Sequence, residues 1–143
     1  MFSKELNKKL DQYHLLNHPF YKSWNDGKLT REIIKDYAEQ YYQHVKAFPR
    51  YISATHSLCK DLDKRKILLE NLQDEEKDGA DHPKLWKNFA GAMGADKSKI
   101  DSVTKEKFTE EMIDNFFKNG RASYAEGLAS LYTYERQIPE IAE

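Results

Sequence analysis

Apolar residues recur along this chain at steps of three and four almost from end to end, the period of helices that bury one face. Leu6, Leu10, Tyr13 and Leu16 set the first stripe, over residues 3–16, with Ser3 placed to cap it. In HPFYKSWNDGKLT, which follows, Pro19 suits the first turn of a helix and Asp26-Gly27 marks a stop. The longest segment, TREIIKDYAEQYYQHVKAFPRYISATHSLC, carries Ile34, Tyr37, Tyr41, His44 or Val45, Phe48, Ile52 and Thr55 on one stripe. Pro49 removes a backbone donor there, which predicts a kink near residues 45–49 rather than two helices. Further helices are expected over about 62–78, from Pro83 to Met93-Gly94, and over about 104–119 with a stop at Asn119-Gly120. The last segment, SYAEGLASLYTYERQIPEIAE, opens on a capping box of Ser123 with Glu126 three residues on. No strand alternation, repeat or linker interrupts the pattern. The fold class is therefore all-α, one helical domain over residues 1–143.

Composition narrows the function classes. Hydrophobic residues make up 39% and charged residues 33%, a globular balance rather than a disordered one. A formal net charge of -1 gives no electrostatic reason to expect nucleic acid or an anionic membrane as partner. Cys59 is the only cysteine, which excludes an intramolecular disulfide and suits a reducing cytoplasm. No apolar run reaches the roughly 20 residues of a membrane span, and MFSKELNKKL is amphipathic rather than a signal peptide.

Two carboxylates stand where the stripes call for apolar side chains. In the last segment Tyr124, Leu128, Leu131, Glu135 and Ile138 follow steps of four, three, four and three, which puts Glu135 on the buried face. Leu68, Leu72, Glu75, Gly79 and His82 repeat those steps, with Glu76 about 100° round the helix. A buried carboxylate is paired, protonated or bound to metal, and a cationic partner or a wet edge accounts for one by itself. Glu75, His82 and Glu135 together also match the inward carboxylates and histidines from which helical bundles build dimetal sites. Seven residues of straight helix span roughly 10.5 Å, too far for one ion to take both Glu75 and His82. The pair needs two ions or a helix break, which Gly79 and Pro83 supply. Of the other histidines, His44 sits in the aromatic stripe of the long helix and could line a pocket. His14 and His18 flank a helix junction, where capping or solvent contact is expected, and His56, near a helix end, is expected to satisfy a carbonyl.

HPFYKSWNDGKL, YAEQYYQHVKAFPRYISATHS, LLENLQDEE with His82 after it, and AEGLASLYTYERQIPEIA together resemble the TenA/PqqC-like superfamily with the haem-oxygenase-like helical fold. Within it the likeness is closest to the p-aminobenzoate-forming branch of chlamydial proteins associating with death domains. That resemblance implies a dimetal oxygenase-like protein of folate biosynthesis, using iron and/or manganese and sacrificing an internal tyrosine. Carried over by position, Glu75, His82 and Glu135 fall on metal ligands and Tyr21 on the consumed tyrosine, with Tyr41, His44 and Tyr134 around them. The family's remaining ligands, in a His-x-x-x-Asp-x-x-His helix, and a lysine proposed as amino donor are not in this chain. It reads as the N-terminal two-thirds of the bundle: a truncated gene product, an expressed piece or part of a split protein. An apolar groove left by the missing helices predicts a homodimer. A cytoplasmic location is expected, with secretion into a host cell as a further option. Other branches imply a thiaminase II or PQQ-synthesis type of enzyme. A third alternative is a non-catalytic helical module engaging death-domain-like host proteins.

Overall fold

The computed structural model describes residues 1–77 and 81–141, and every element of regular structure among them is helical. The helices are α1 (Phe2–Asp11), α2 (Pro19–Asn25), α3 (Arg31–Leu58), α4 (Leu62–Glu76), α5 (His82–Met93), α6 (Lys107–Ala122), α7 (Tyr124–Glu135) and α8 (Ile138–Ile141). Two short 3₁₀ turns, Leu15–Asn17 and Ile100–Ser102, lie between them. The architecture is the expected all-α one. None of these helices is long and apolar enough to cross a membrane. The chain forms two compact units, Arg31–Leu131 and Met1–Thr30 with Tyr132–Glu143.

The larger unit is built round α3, which packs against α4, α5 and α6. One continuous helix runs through Pro49, as the pattern predicts. The expected stripe is buried at His44, Val45, Phe48, Ile52 and Thr55, but Tyr42, Gln43, Ala47, Pro49 and Tyr51 are buried too. From Tyr42 to Thr55 the helix is therefore covered on nearly every side. Against α6, the Tyr51 ring stacks on Phe116 with centroids 4.8 Å apart and meets Phe117 edge-on. Towards α5, Ala38 and Ala90 are both fully buried, and the Trp86 indole N–H donates to the Ala38 carbonyl at 2.8 Å.

A carboxylate fastens the connection after α5. Asp101 accepts from the Tyr42 hydroxyl (2.8 Å), Lys46 (2.8 Å) and Lys87 (2.7 Å), joining α3, α5 and the second 3₁₀ turn. Hydrogen bonds from Lys46, then Lys87 and Tyr42, hold its carboxyl well below the usual range, while burial and Asp101 itself push the Tyr42 phenol up. Gln43 donates to the Ile100 carbonyl at 2.7 Å, a buried bond that pins the same turn. At the other end of the connection, Arg31 donates to the Ala92 and Met93 carbonyls at the end of α5.

In the smaller unit α1 has no buried residue, and polar contacts tie it to the chain's last segment. Tyr132 donates to Asn7 at 2.8 Å, and Arg136 to Asp11 at 2.7 Å. The side chain of Gln137, buried despite its polarity, accepts from the Leu15 amide and donates to the Thr133 carbonyl.

Several expected boundaries move, each for a local reason. Helix α1 starts at Phe2 with Met1 as its cap, so Ser3 is not the cap, and it ends at Asp11 rather than at 16. The His14 ring accepts the Leu16 amide at 3.2 Å, a side-chain bond that competes with further helix and leaves Tyr13 exposed. Helix α6 begins at Lys107 rather than 104 and does not stop at Asn119-Gly120. Gly120 lies buried inside the helix, where an added Cβ would meet Ala54, Thr55 and the Tyr51 carbonyl at an ordinary contact distance of 3.5 Å. Positive φ occurs at Gly27 and Gly94, where stops were expected. The capping box of α7 forms, with the Glu126 amide donating to the Ser123 oxygen at 3.1 Å. That segment is not one helix, since α7 ends at Glu135 and α8 starts at Ile138. Its buried face also differs: Gly127 and Leu131 are buried and Leu128 is exposed.

Gly127 is where α7 comes closest to α3. A Cβ there would sit 2.4 Å from the Thr55 hydroxyl oxygen and 3.1 Å from its Cβ, with Thr55 fully buried. Gly127→Ala should therefore destabilise the protein by about 1–3 kcal/mol, as overpacking does. Urea denaturation measures it, and Thr55→Ala in the same chain should recover part of the loss.

Candidate metal-ligand pair

Helix α4 exposes most of its surface and buries only Leu68 and Glu75. Leu68 anchors the helix on the core, and Glu75, seven residues on, repeats its position two turns later. Glu76 next to it is exposed. The helix ends there, with Lys77 in extended conformation, and Asp81 caps α5 by accepting the Lys84 amide at 2.7 Å. Gly79, where the sequence places the break, lies outside the described residues.

The break brings the two side chains into contact. Nδ1 of His82 lies 2.6 Å from Oε2 of Glu75, a charge-assisted hydrogen-bond distance that the roughly 10.5 Å of straight helix forbids. Their surroundings differ: the Glu75 side chain is 12% exposed and the His82 ring 53%. The carboxylate belongs to the protein's interior and the imidazole to its surface. A carboxylate oxygen and an imidazole nitrogen are donors that suit manganese, iron and zinc alike. Among the described residues no three His, Cys, Asp or Glu side chains gather as a metal-holding group. Glu135 ends α7, half-buried, and belongs to the smaller unit.

The other candidates are distributed as follows. Tyr21 is half-buried on α2, its ring edge-on to Phe20 at 5.3 Å. Tyr134 is half-buried near the end of α7. Tyr41 stacks on Tyr37 and packs on Trp86 at 4.6 Å. His44 is fully buried among Tyr41, Phe48, Tyr51 and Phe116, with Nδ1 3.4 Å from the Tyr51 hydroxyl. Burial pushes its imidazole down to about 4, so it is neutral at physiological pH.

Cys59 is buried, with its thiol on the Asp61 carbonyl at 3.5 Å, the setting of an inert thiol rather than a nucleophile. His14 and His18 cap the elements that follow them, as expected of their positions. The carbonyl of His56 accepts from Arg65 at 2.9 Å. Sequence periodicity missed Asp101 because its three partners come from residues 42, 46 and 87, which no local pattern joins.

The model of the TENA/THI-4/PQQC family matches residues 3–143. A protein named 4-aminobenzoate synthase from Chlamydia muridarum is 41% identical over 143 residues, covering 99% of this chain and 61% of that protein. One of the same name from Chlamydia trachomatis is 42% identical over 142 residues, with 99% and 62% covered. Another from Nitrosomonas europaea is 40% identical over 152 residues, with 99% and 61% covered. The chain thus spans about three-fifths of the length of these relatives.

A buried neutral histidine sets a pH dependence. Its folded value of about 4 lies below the ordinary 6.5, so between these pH values the unfolded chain binds more protons. Stability should hold above pH 6.5 and fall as pH drops towards 4, by on the order of 3 kcal/mol from this group. Thermal melts of the protein and of His44→Phe across that range check it, the variant giving the shallower dependence.

Proposed function

The chain belongs to the TENA/THI-4/PQQC family, and from that membership we propose that it serves p-aminobenzoate formation as a dimetal oxygenase-like protein. The observation that carries this reading is the contact between buried Glu75 and His82, two metal-competent donors brought together across a helix break. The relatives named 4-aminobenzoate synthase supply the reaction class. In this reading Glu75, His82 and Glu135 hold iron and/or manganese, and Tyr21 is the internal tyrosine that is consumed. Tyr41, His44 and Tyr134 shape the surroundings. Bound metal supplies the activation of dioxygen, chemistry that no side chain provides.

The chain's own residues have definable tasks. Without metal, Nδ1 of His82 and Oε2 of Glu75 lie at hydrogen-bond distance, and a metal held by these two atoms would replace that contact. Burial of Glu75 keeps water from competing for its oxygens, while the exposed face of His82 leaves an approach from solvent. An internal tyrosine is a substrate already paid for in translational entropy, so catalysis of a single turnover needs no binding step. Neutral His44 adds polarity without charge to the aromatic core.

Metal content by mass spectrometry of the purified, iron- and manganese-loaded chain tests the ligand set. Glu75→Gln, His82→Ala and Glu135→Gln should each lower bound metal at least tenfold; unchanged content in any one removes that residue from the set. Peptide mapping after exposure to dioxygen and reductant tests the rest. Tyr21 should be lost from its peptide, and the same peptide of Tyr21→Phe should stay intact.

A further inference from the structure

We propose that Arg50 and Arg121, carried together on the ring of Phe117, form a docking site for an acidic segment of a partner protein. Both side chains belong to the larger unit, Arg50 on α3 and Arg121 at the end of α6. Their guanidinium carbons lie 4.8 and 4.7 Å from the Phe117 centroid. Both residues are exposed. The two charges thus stand within about 10 Å of each other, each in the range of a cation–π contact.

What marks the pair is its lack of counter-charge. The other three arginines are engaged: Arg31 with the Ala92 and Met93 carbonyls, Arg65 with those of His56 and Cys59, Arg136 with Asp11. Among the described residues no carboxylate comes within ion-pair distance of Arg50 or Arg121. Lys46, one turn before Arg50, is taken by Asp101. Lys118 stands exposed beside Phe117 and adds a third positive charge. Glu110 and Asp114 lie further back along α6 without reaching either guanidinium. Stacking on a ring holds a guanidinium plane by its face and leaves its N–H edges free, the edges that grip a carboxylate in two-point fashion.

Magnitude and shape select the partner. One exposed ion pair contributes only about 0–1 kcal/mol, too little to retain a lone carboxylate or phosphate. Several carboxylates on one segment sum such contacts. Single-stranded nucleic acid needs open aromatic faces for its bases, whereas Phe117 carries two guanidiniums and meets Tyr51 edge-on.

Fluorescence anisotropy with a fluorescein-labelled oligoglutamate peptide at low ionic strength tests the assignment on the intact chain. Saturable binding is expected, weakened severalfold, to at most about thirtyfold, by Arg50→Gln with Arg121→Gln, the size of two exposed charge contacts. Lys4→Gln with Lys8→Gln, an equal charge change on α1, should leave it unchanged, and thermal melts should show all variants folded. Equal loss in both double variants, or no saturable binding, would overturn the site. Tighter binding of an oligouridylate of matched charge through the same arginines would overturn the protein partner.

Discussion

Burial of one stretch of α3, from Ala38 to Thr55, is the constraint on which the larger unit depends. That stretch is covered by α4, α5 and α6 at once, so its side chains must satisfy several neighbours simultaneously. It does so by alternating bulk with its absence. Tyr51, 1% exposed, fills the space towards α6 with stacked rings, while Ala38 lets α5 approach closely enough for Trp86 to bond a backbone carbonyl. At Thr55 the reverse holds, and the partners at α6 and α7 are glycines. Close-packed interiors leave little room for change at such contacts.

The polar groups of this core follow from the same crowding. Where α3 buries polar side chains, hydrogen bonds replace the water they lose. Gln43 holds the turn at Ile100, Thr55 returns its hydroxyl to the Tyr51 carbonyl, and Tyr42 reaches Asp101. His44 is the exception in kind, since the interior keeps it neutral among aromatic rings. The Glu75–His82 contact belongs to the periphery of this unit, where α4 offers little apolar surface of its own. A buried carboxylate at that edge needs partners, and His82, beyond the end of α4, is one of them.

How much of this could be read beforehand varies with the range of the interaction. Glu75 and His82 were readable because both lie on one period of one segment, and their incompatibility with straight helix forced the break. The stop at Gly120 was misread because a glycine after asparagine looks the same whether it ends a helix or lies inside one. Leu128 was placed on the buried face because a three-four spacing fits two adjacent stripes of α7. The one that is buried, Gly127 with Leu131, contains a residue with no hydrophobic signal at all.

The sequence by itself determined the helical class, the capping box at Ser123, the stops at Gly27 and Gly94, and the common helical face of Glu75 and His82. These rest on interactions within a few residues, or within one helical period, where spacing dictates geometry. Only the tertiary structure decided that α3 is buried on nearly every side from Tyr42 to Thr55, that Asp101 gathers Tyr42, Lys46 and Lys87, and that two arginines share the ring of Phe117. Those depend on which helix faces meet, and the faces are chosen by volume and close approach across distant segments rather than by any repeat along the chain.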